Sequence, residues 1–348
     1  MIANMHGMQR STTRTRGPSI QDVARLAGVS AQTVSRVSTG SQPVKEDTRK
    51  RVVNAMEKLG YTPNRAARAL RNGKFHSIGV ISQRFERTGE TLTIASITDA
   101  LEERGYSISL FQAHQPQSSE RLNDPKKLLD QTVDGLIIVH AGDSVHRGLS
   151  VPRALPVAVS DSRLRGEYPS VLSTQVQGSI DAVEHLLSLG HRTVHHIAGH
   201  PESHPAADRK DTWYNHLLSL GIQPPTPWQG DWTAQSGYQA GQEIARDPDV
   251  TAVYCANDEM AFGLIRALHE HGRRVPEDVS IVGFDAISLS EFSAPPLTTI
   301  KQDFPKMGRE LVRIVLEQIE SGKPAPPTNL PIPTELIVRG STAPPQQR

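Results

Sequence analysis

The stretch SIQDVARLAGVSAQTVSRV, Ser19 to Val37, decides how the chain begins to fold. Ser19 and Asp22 have the spacing of a capping box, and Val23, Leu26 and Ala27 follow at helical spacing, so a first helix starts here. Gly28 suits the left-handed conformation that ends a helix, and Ser30 suits the cap of the next. The Gly-Val-Ser turn therefore joins two helices in a helix-turn-helix. In the second helix, Ala31 to about Ser38, Val34 and Val37 are expected to pack inward, while Gln32, Thr33 and Arg36 project outward near its N-terminal half. That is the part of a recognition helix that meets base edges, where Gln suits adenine and Arg suits guanine.

Charge concentrates in the same region. Met1 to Phe75 holds 14 Lys and Arg against 4 Asp and Glu, a net +10; the remainder holds 24 against 33, a net −9, and the 348-residue chain is only +1 overall. A basic head of this kind neutralises phosphates and releases counterions, while an acidic body is repelled by DNA and favours one docking orientation. GYTPNRAARALR, Gly60 to Arg71, follows a third helix expected over roughly Glu46 to Leu59. Pro63 can start a helix, and Ala66, Ala67 and Ala69 are good helix formers, yet a helix this short is marginal alone in water.

Beyond Phe75, strand-like runs alternate with helical ones. Strands are expected at SIGVIS from Ser77, YSISLFQ from Tyr106, GLIIVH from Gly135, LPVAVSD from Leu155, TVHHIAG from Thr193, TAVYCAND from Thr251 and VSIVGFD from Val279. Helices are expected around Ile94 to Arg104, Ile180 to Leu189, Gly237 to Arg246 and Glu259 to His271. Apolar strands separated by amphipathic helices imply doubly wound parallel sheets, and the length suits two α/β lobes. Ligands in such sheets lie beyond the carboxyl ends of the strands, where Asp161, Asn257 with Asp258, and Asp285 stand.

Other chemistry finds little support. The six histidines between His185 and His204 span a helix end, a strand and a loop without i,i+4 pairing, so no metal is expected. Cys255 is the single cysteine and excludes an intrachain disulfide. Phosphate-binding and dinucleotide glycine motifs are lacking, so no cofactor and no enzymatic activity are expected. No 18-residue apolar run occurs and Met1 to Gly17 is polar, which leads to the expectation of a cytoplasmic protein with no membrane partner, a disordered arm over 1–18, and Met5 or Met8 as alternative starts.

DVARLAGVSAQTVSRV, GYTPNRAARAL, GDW with SGY, CANDEMAFG, VSIVGFD and PPLTTIKQDF together resemble the LacI/GalR family of transcription regulators, from Ser19 to about Thr342. The resemblance implies a head over 19–62, a hinge helix and linker over 63–75, and a periplasmic-binding-protein-like core over 76–341. That core has an N-lobe of about 76–173 and 304–329, a C-lobe of about 174–303 and 330–341, and a tail from 342. It implies a homodimer on a palindromic operator of double-stranded DNA, contacted through Ser30, Gln32, Thr33, Arg36, Asn64, Ala67, Arg68, Leu70 and Arg71, with Leu70 wedging into the central base step. It also implies a small-molecule effector, a saccharide, bound by Asp161, Arg209, Trp232, Asn257, Asp285, Gln302 and Phe304.

The chain departs from the family pattern in places. Ala31 stands where a prototype has a tyrosine, and Lys45 replaces the usual serine before the third helix, weakening its cap. Arg87, Gly89, Glu90 and Thr93 occupy the places of small apolar cleft residues, and Val139 replaces an asparagine, so a more polar or larger saccharide is expected. A purine co-repressor or a phosphosugar is the alternative effector, since purine-binding relatives share the arginine and aspartate at Arg209 and Asp285. A sugar-processing protein, with Asp161 and Asp285 as acid and base, is the alternative function. The ending RGSTAPPQQR has prolines and no leucine heptads, so a dimer rather than a tetramer is expected, and ligand is expected to release DNA.

Overall fold

The computed structural model describes residues 17–39, 43–62, 74–112, 133–139, 154–160 and 162–346, in two compact units, Met1–Phe75 and His76–Arg348. Residues 1–16 of the arm expected over 1–18, the hinge residues Asn64, Ala67, Arg68, Leu70 and Arg71, and Asp161 lie outside the described residues.

In the first unit, α1 (Ile20–Ala27), α2 (Ala31–Thr39) and α3 (Glu46–Leu59) surround a small core of Val23, Val34 and Val52 with Ala24, Ala27 and Ala55. The Ser19 hydroxyl accepts from the Asp22 N–H, and the Asp22 carboxylate accepts from the Ser19 N–H at 2.9 Å, closing the capping box. Gly28 is left-handed at φ 65°, and the Ser30 hydroxyl caps α2 by accepting from the Thr33 N–H at 3.1 Å. Lys45 makes no side-chain cap on α3. Leu26 departs from expectation: it is 52% exposed, because the buried arc of α1 runs through Val23, Ala27 and Ala24 and Leu26 sits about 100° of helical rotation from Ala27.

The second unit contains β1 (Ser77–Ser82), α4 (Thr88–Glu102), β2 (Ser107–Gln112), β3 (Gly135–Ile138), β4 (Val157–Val159), β5 (Ser170–Ser173), α5 (Gln175–Ser188), β6 (His195–Ala198), α6 (His204–Ser219), β7 (Trp228–Gln229), α7 (Ala234–Ile244), β8 (Ala252–Cys255), α8 (Asp258–Glu270), β9 (Ser280–Asp285), β10 (Thr298–Lys301), α9 (Phe304–Ser321), β11 (Asn329–Ile332) and β12 (Glu335–Ile337). One sheet, in the order β2-β1-β3-β4-β5-β11, is parallel throughout. The other, β7-β6-β8-β9-β10-β12, repeats the same winding with β12 antiparallel. Each lobe thus has a switch point, between β1 and β3 and between β6 and β8, where a crevice forms at the carboxyl ends. Every residue of β1, β3, β8 and β9 is buried, as unbroken apolar runs in parallel sheets require.

The chain passes between lobes three times, from β5 to α5, from β10 to α9, and from β11 to β12. After the second crossing, α9 sends Met307, Leu311 and Val315 into the N-lobe core beside Ile78, Val80 and Ile97. The third crossing falls later than expected, since residues 330–332 pair with β5 in the N-lobe sheet. The expected tail is also partly fixed. The Ala343 N–H donates to the Ser280 hydroxyl at 3.0 Å, and the Ala343 carbonyl lies 3.1 Å from His191 Nε2. Helices α4 and α5 begin about one and a half turns earlier than their apolar periodicity suggests, because their first turns are mostly polar and line the cleft described below. No helix among the described residues is long and apolar enough to cross a membrane.

Helices α7 and α8 pack backbone against backbone. A Cβ at Gly237 or Gly263 would collide with the carbonyl oxygen of Met260 or Ala234 respectively. Gly263→Ala is expected to lower the unfolding free energy of the core by about 1–3 kcal/mol in chemical denaturation. An unchanged midpoint would show that this contact is loose.

Candidate functional site

A cleft of about 870 Å³ opens at the carboxyl ends of both sheets, and its walls come from both lobes. Of the residues singled out from the sequence, Arg209, Trp232, Asn257, Asp285, Gln302 and Phe304 all line it. Ser160, the residue preceding Asp161, lines it too.

Arg209, in the second turn of α6, is the centre of the C-lobe wall and only 3% exposed. Its Nε donates to Gln175 Oε1 at 2.8 Å, one terminal nitrogen donates to the Ala256 carbonyl, and the other reaches Asp285 Oδ1 at 3.5 Å. Gln302 Nε2 donates to the same Asp285 oxygen at 2.6 Å, and Gln175 Nε2 donates to Gln302 Oε1 at 3.1 Å. Arg209, Asp285, Gln302 and Gln175 therefore form a closed ring of polar contacts. The guanidinium lies 3.6 Å over the Phe284 ring and 5.3 Å from the Trp232 ring centroid. Burial outweighs the pull of Arg209 and pushes the Asp285 carboxyl up to about 6.

The backbone at this edge of the site is held in sparsely populated conformations. Asp285 has φ 105°, Ala286 φ 53° and Trp232 φ 80°, all in the region that favours glycine. Such strain, of order 1–3 kcal/mol per residue, persists only where the surroundings fix it. For Trp232 those surroundings include Gly199, where a Cβ would lie 2.5 Å from the indole ring, so only glycine leaves room for it.

Asn257 and Asp258 play parts the sequence did not distinguish. Asn257 caps α8, accepting from the Met260 N–H at 3.0 Å, and its amide donates to the Trp232 carbonyl at 2.9 Å and to Glu259 Oε2 at 2.7 Å. It positions the Trp232 loop as well as lining the cleft. Asp258, expected at the cleft with it, is fully buried and turned away. It accepts from Thr299 Oγ1 at 2.5 Å and from the Ile287 N–H at 2.9 Å, and burial holds its carboxyl well above the usual range.

Sequence reasoning missed Gln175, Glu259 and Thr88. Gln175 is the first residue of α5, immediately after the first crossing. Glu259 accepts a hydrogen bond from the Thr88 hydroxyl at the start of α4, which joins the two lobes directly across the cleft. On the N-lobe wall, Glu90 accepts from the Ser82 hydroxyl and from the Arg84 N–H at 3.1 Å, with Arg87 at 3.7 Å. Burial raises the Glu90 carboxyl and lowers the pKa of Arg87.

The histidines do not gather into a site. His196 is fully buried between Trp213 and Tyr254, with burial lowering its pKa to about 3. No three metal-ligating side chains converge among the described residues. The Cys255 thiol is buried and pushed up by desolvation, as a packing residue would be.

A helix-turn-helix head on a two-lobed domain with a polar cleft is the make-up of a ligand-responsive regulator of transcription. Comparison with known proteins agrees: residues 19–64 match the bacterial regulatory proteins of the lacI family, and residues 183–342 match a periplasmic binding protein-like domain. The HTH-type transcriptional regulator CelR of Thermobifida fusca is 34% identical over 344 residues, covering 94% of this chain and 99% of the relative. The lactose operon repressor of Escherichia coli (strain K12) is 35% identical over 333 residues, covering 94% and 91%. The crystal structure of the lac repressor dimer bound to operator and the anti-inducer ONPF superposes with a TM-score of 0.81 at 33% identity, covering 94% of this chain and all of that one. The CelR–cellobiose complex gives a TM-score of 0.68 at 31% identity, covering 93% and 99%. The chain belongs to the LacI family of bacterial regulatory proteins.

Because the folded core holds the Asp285 proton up to about pH 6, against an ordinary value of 3.8, it binds that proton more tightly than the unfolded chain does. Stability contributed at this site is therefore lost as the pH rises from about 4 to about 6. Asp285→Asn cannot titrate and is expected to flatten that part of the stability profile in denaturant titrations of the ligand-free protein. An unchanged slope would assign the dependence to Glu90 or Asp258, whose carboxyls are raised as well.

Proposed function

We propose that the protein is a cytoplasmic transcriptional repressor that binds a palindromic operator as a homodimer and is released from it by a saccharide held in the cleft. The observation that carries the ligand reading is the Arg209, Asp285, Gln302 and Gln175 ring beside Trp232. Vicinal hydroxyls need a donor and an acceptor side by side, and the Arg209 and Asp285 pair offers both. Asp285 Oδ2 has no hydrogen bond among the described residues, and Trp232 supplies an apolar face for sugar C–H groups. In this reading Asp161, Asn257, Gln302 and Phe304 complete the ligand shell. Lac repressor structures with the ligands ONPF and ONPG, and CelR with cellobiose, support it.

For DNA, Gln32 and Arg36 are exposed on α2, and Ser30 and Thr33 fix its first turn. Gln32 and Arg36 read bases, Ser30 and Thr33 bind phosphates, and Asn64, Ala67, Arg68, Leu70 and Arg71 contact the centre of the operator. The relatives are regulators of transcription, and regulation by binding rather than catalysis is the function we assign.

A thermal-shift screen of sugars and purines, followed by gel-shift titration on the protein's own upstream region with each hit, tests this reading directly. A sugar that stabilises the protein and weakens operator binding is the expected result; stabilisation by a purine that tightens binding would replace it with co-repression. Arg36→Ala is expected to cost about 1–3 kcal/mol on the operator and to relax base choice at one position. An equal loss on scrambled DNA would remove its base-reading role. Arg209→Ala and Asp285→Ala are expected to retain operator binding and lose the response to ligand. A normal response in either variant would show that the ligand sits elsewhere.

A further inference from the structure

The N-lobe wall of the cleft is charged where a simple apolar wall would suffice to cover a sugar. Arg87, Thr88, Gly89, Glu90 and Thr93, at the start of α4, line the cavity. The Arg87 side chain is 17% exposed and that of Glu90 11%, and their nearest charged atoms are 3.7 Å apart. That distance makes an ion pair but not a hydrogen bond, so the Arg87 guanidinium donates no side-chain hydrogen bond among the described residues. Glu90, by contrast, is fixed: the Ser82 hydroxyl and the Arg84 N–H donate to one carboxylate oxygen, and the other faces Arg87.

No Arg87 nitrogen is both sealed from solvent and unpartnered, so these donors face the cleft, where a ligand that accepts from them can take the place of water. The chemistry of the accepting group follows from the neighbour. An anionic group on Arg87 would lie against the Glu90 carboxylate, and an apolar group would strip water from both without replacing a hydrogen bond. A pair of adjacent hydroxyls satisfies both residues, accepting from Arg87 and donating to Glu90. Space is available, because a cleft of about 870 Å³ is near the upper end of the roughly 300–1,000 Å³ of small-molecule sites, while the Arg209 ring and Trp232 are gathered on the C-lobe side. The Thr88 to Glu259 hydrogen bond sets the start of α4 against the start of α8, so both walls belong to one cavity.

We propose that Arg87 and Glu90 form a second hydroxyl-binding subsite, so that the effector is a saccharide of at least two rings whose second ring presents neighbouring free hydroxyls. This rests on the saccharide reading of the Arg209 site and extends it to the size and polarity of the ligand.

The test is calorimetric titration of the full-length protein with cellobiose, lactose, maltose, D-glucose, D-galactose, and the p-nitrophenyl β-glycosides of glucose and galactose. One disaccharide is expected to bind at least tenfold more tightly than either of its component sugars. Arg87→Leu, which rebuilds an apolar wall, is expected to weaken that disaccharide tenfold or more while leaving the nitrophenyl glycoside of the same first sugar unchanged or tighter. Arg87→Lys, which keeps the charge and loses the planar fork, is expected to fall between, and serves in place of Arg87→Leu if that variant does not fold. Equal binding of mono- and disaccharides, or equal changes for disaccharide and nitrophenyl glycoside in the variant, would overturn the subsite and leave the saccharide reading standing. Failure of every sugar to bind the wild-type protein would overturn both.

Discussion

A charge at 3% exposure is tolerated only where partners replace the water it has lost, and Arg209 is the constraint on which the cleft depends. Its partners come from separate parts of the chain: Gln175 directly after the first crossing, Ala256 at the end of β8, Asp285 at the end of β9, and through Asp285 also Gln302 in the second crossing. Two of the three crossings between lobes are therefore tied into one polar ring. On the proposed function, a ligand that takes hydrogen bonds from Arg209 or Asp285 would act on the segments that join the lobes. The proposed ligand contacts and the segments that join the lobes would then belong to one network, which is the physical requirement for a binding event to bias two lobe arrangements.

The opposite side of the cleft supplies the second condition. Thr88 and Glu259 join the lobes directly, so on the proposed function a ligand would select among lobe arrangements partly by what it adds to or takes from that contact. Burial keeps Glu90 and Arg87 poorly solvated on the N-lobe side, as it does Asp285 on the C-lobe side. Most polar groups of the two walls are already paired, and the capacity left for a polyhydroxylated ligand lies at the Arg87 donors and Asp285 Oδ2.

Much of this was readable in the sequence where one physical rule acts alone. The buried parallel strands are continuous apolar runs, so a polar residue closing such a run, as Asp285 closes VSIVGFD, stands out. The head was legible because Ser19, Asp22, Gly28 and Ser30 each have a backbone role fixed by local spacing. Side-chain direction was not legible: Asp258 and Asp285 both end strands, yet one turns into the core to hold Thr299 and the Ile287 N–H while the other faces the cleft. Gln175 was missed because a glutamine opening a polar helical turn looks like any solvated residue until a buried arginine is placed beside it. The third crossing was placed too early because NLPI, with a proline in an edge strand, has only two strongly apolar residues to announce it.

A repressor controlled by ligand needs one coupling, between the cleft and the operator, and coupling is reciprocal. The most direct test is to measure the affinity of the best-binding saccharide twice, on the free protein and on the protein saturated with operator DNA. If the ligand releases the repressor, operator-bound protein will bind the saccharide more weakly, by the same factor with which the saccharide weakens operator binding, on the order of 5- to 150-fold. Equal affinity in the two states would contradict the central claim, because a ligand indifferent to the operator cannot control it.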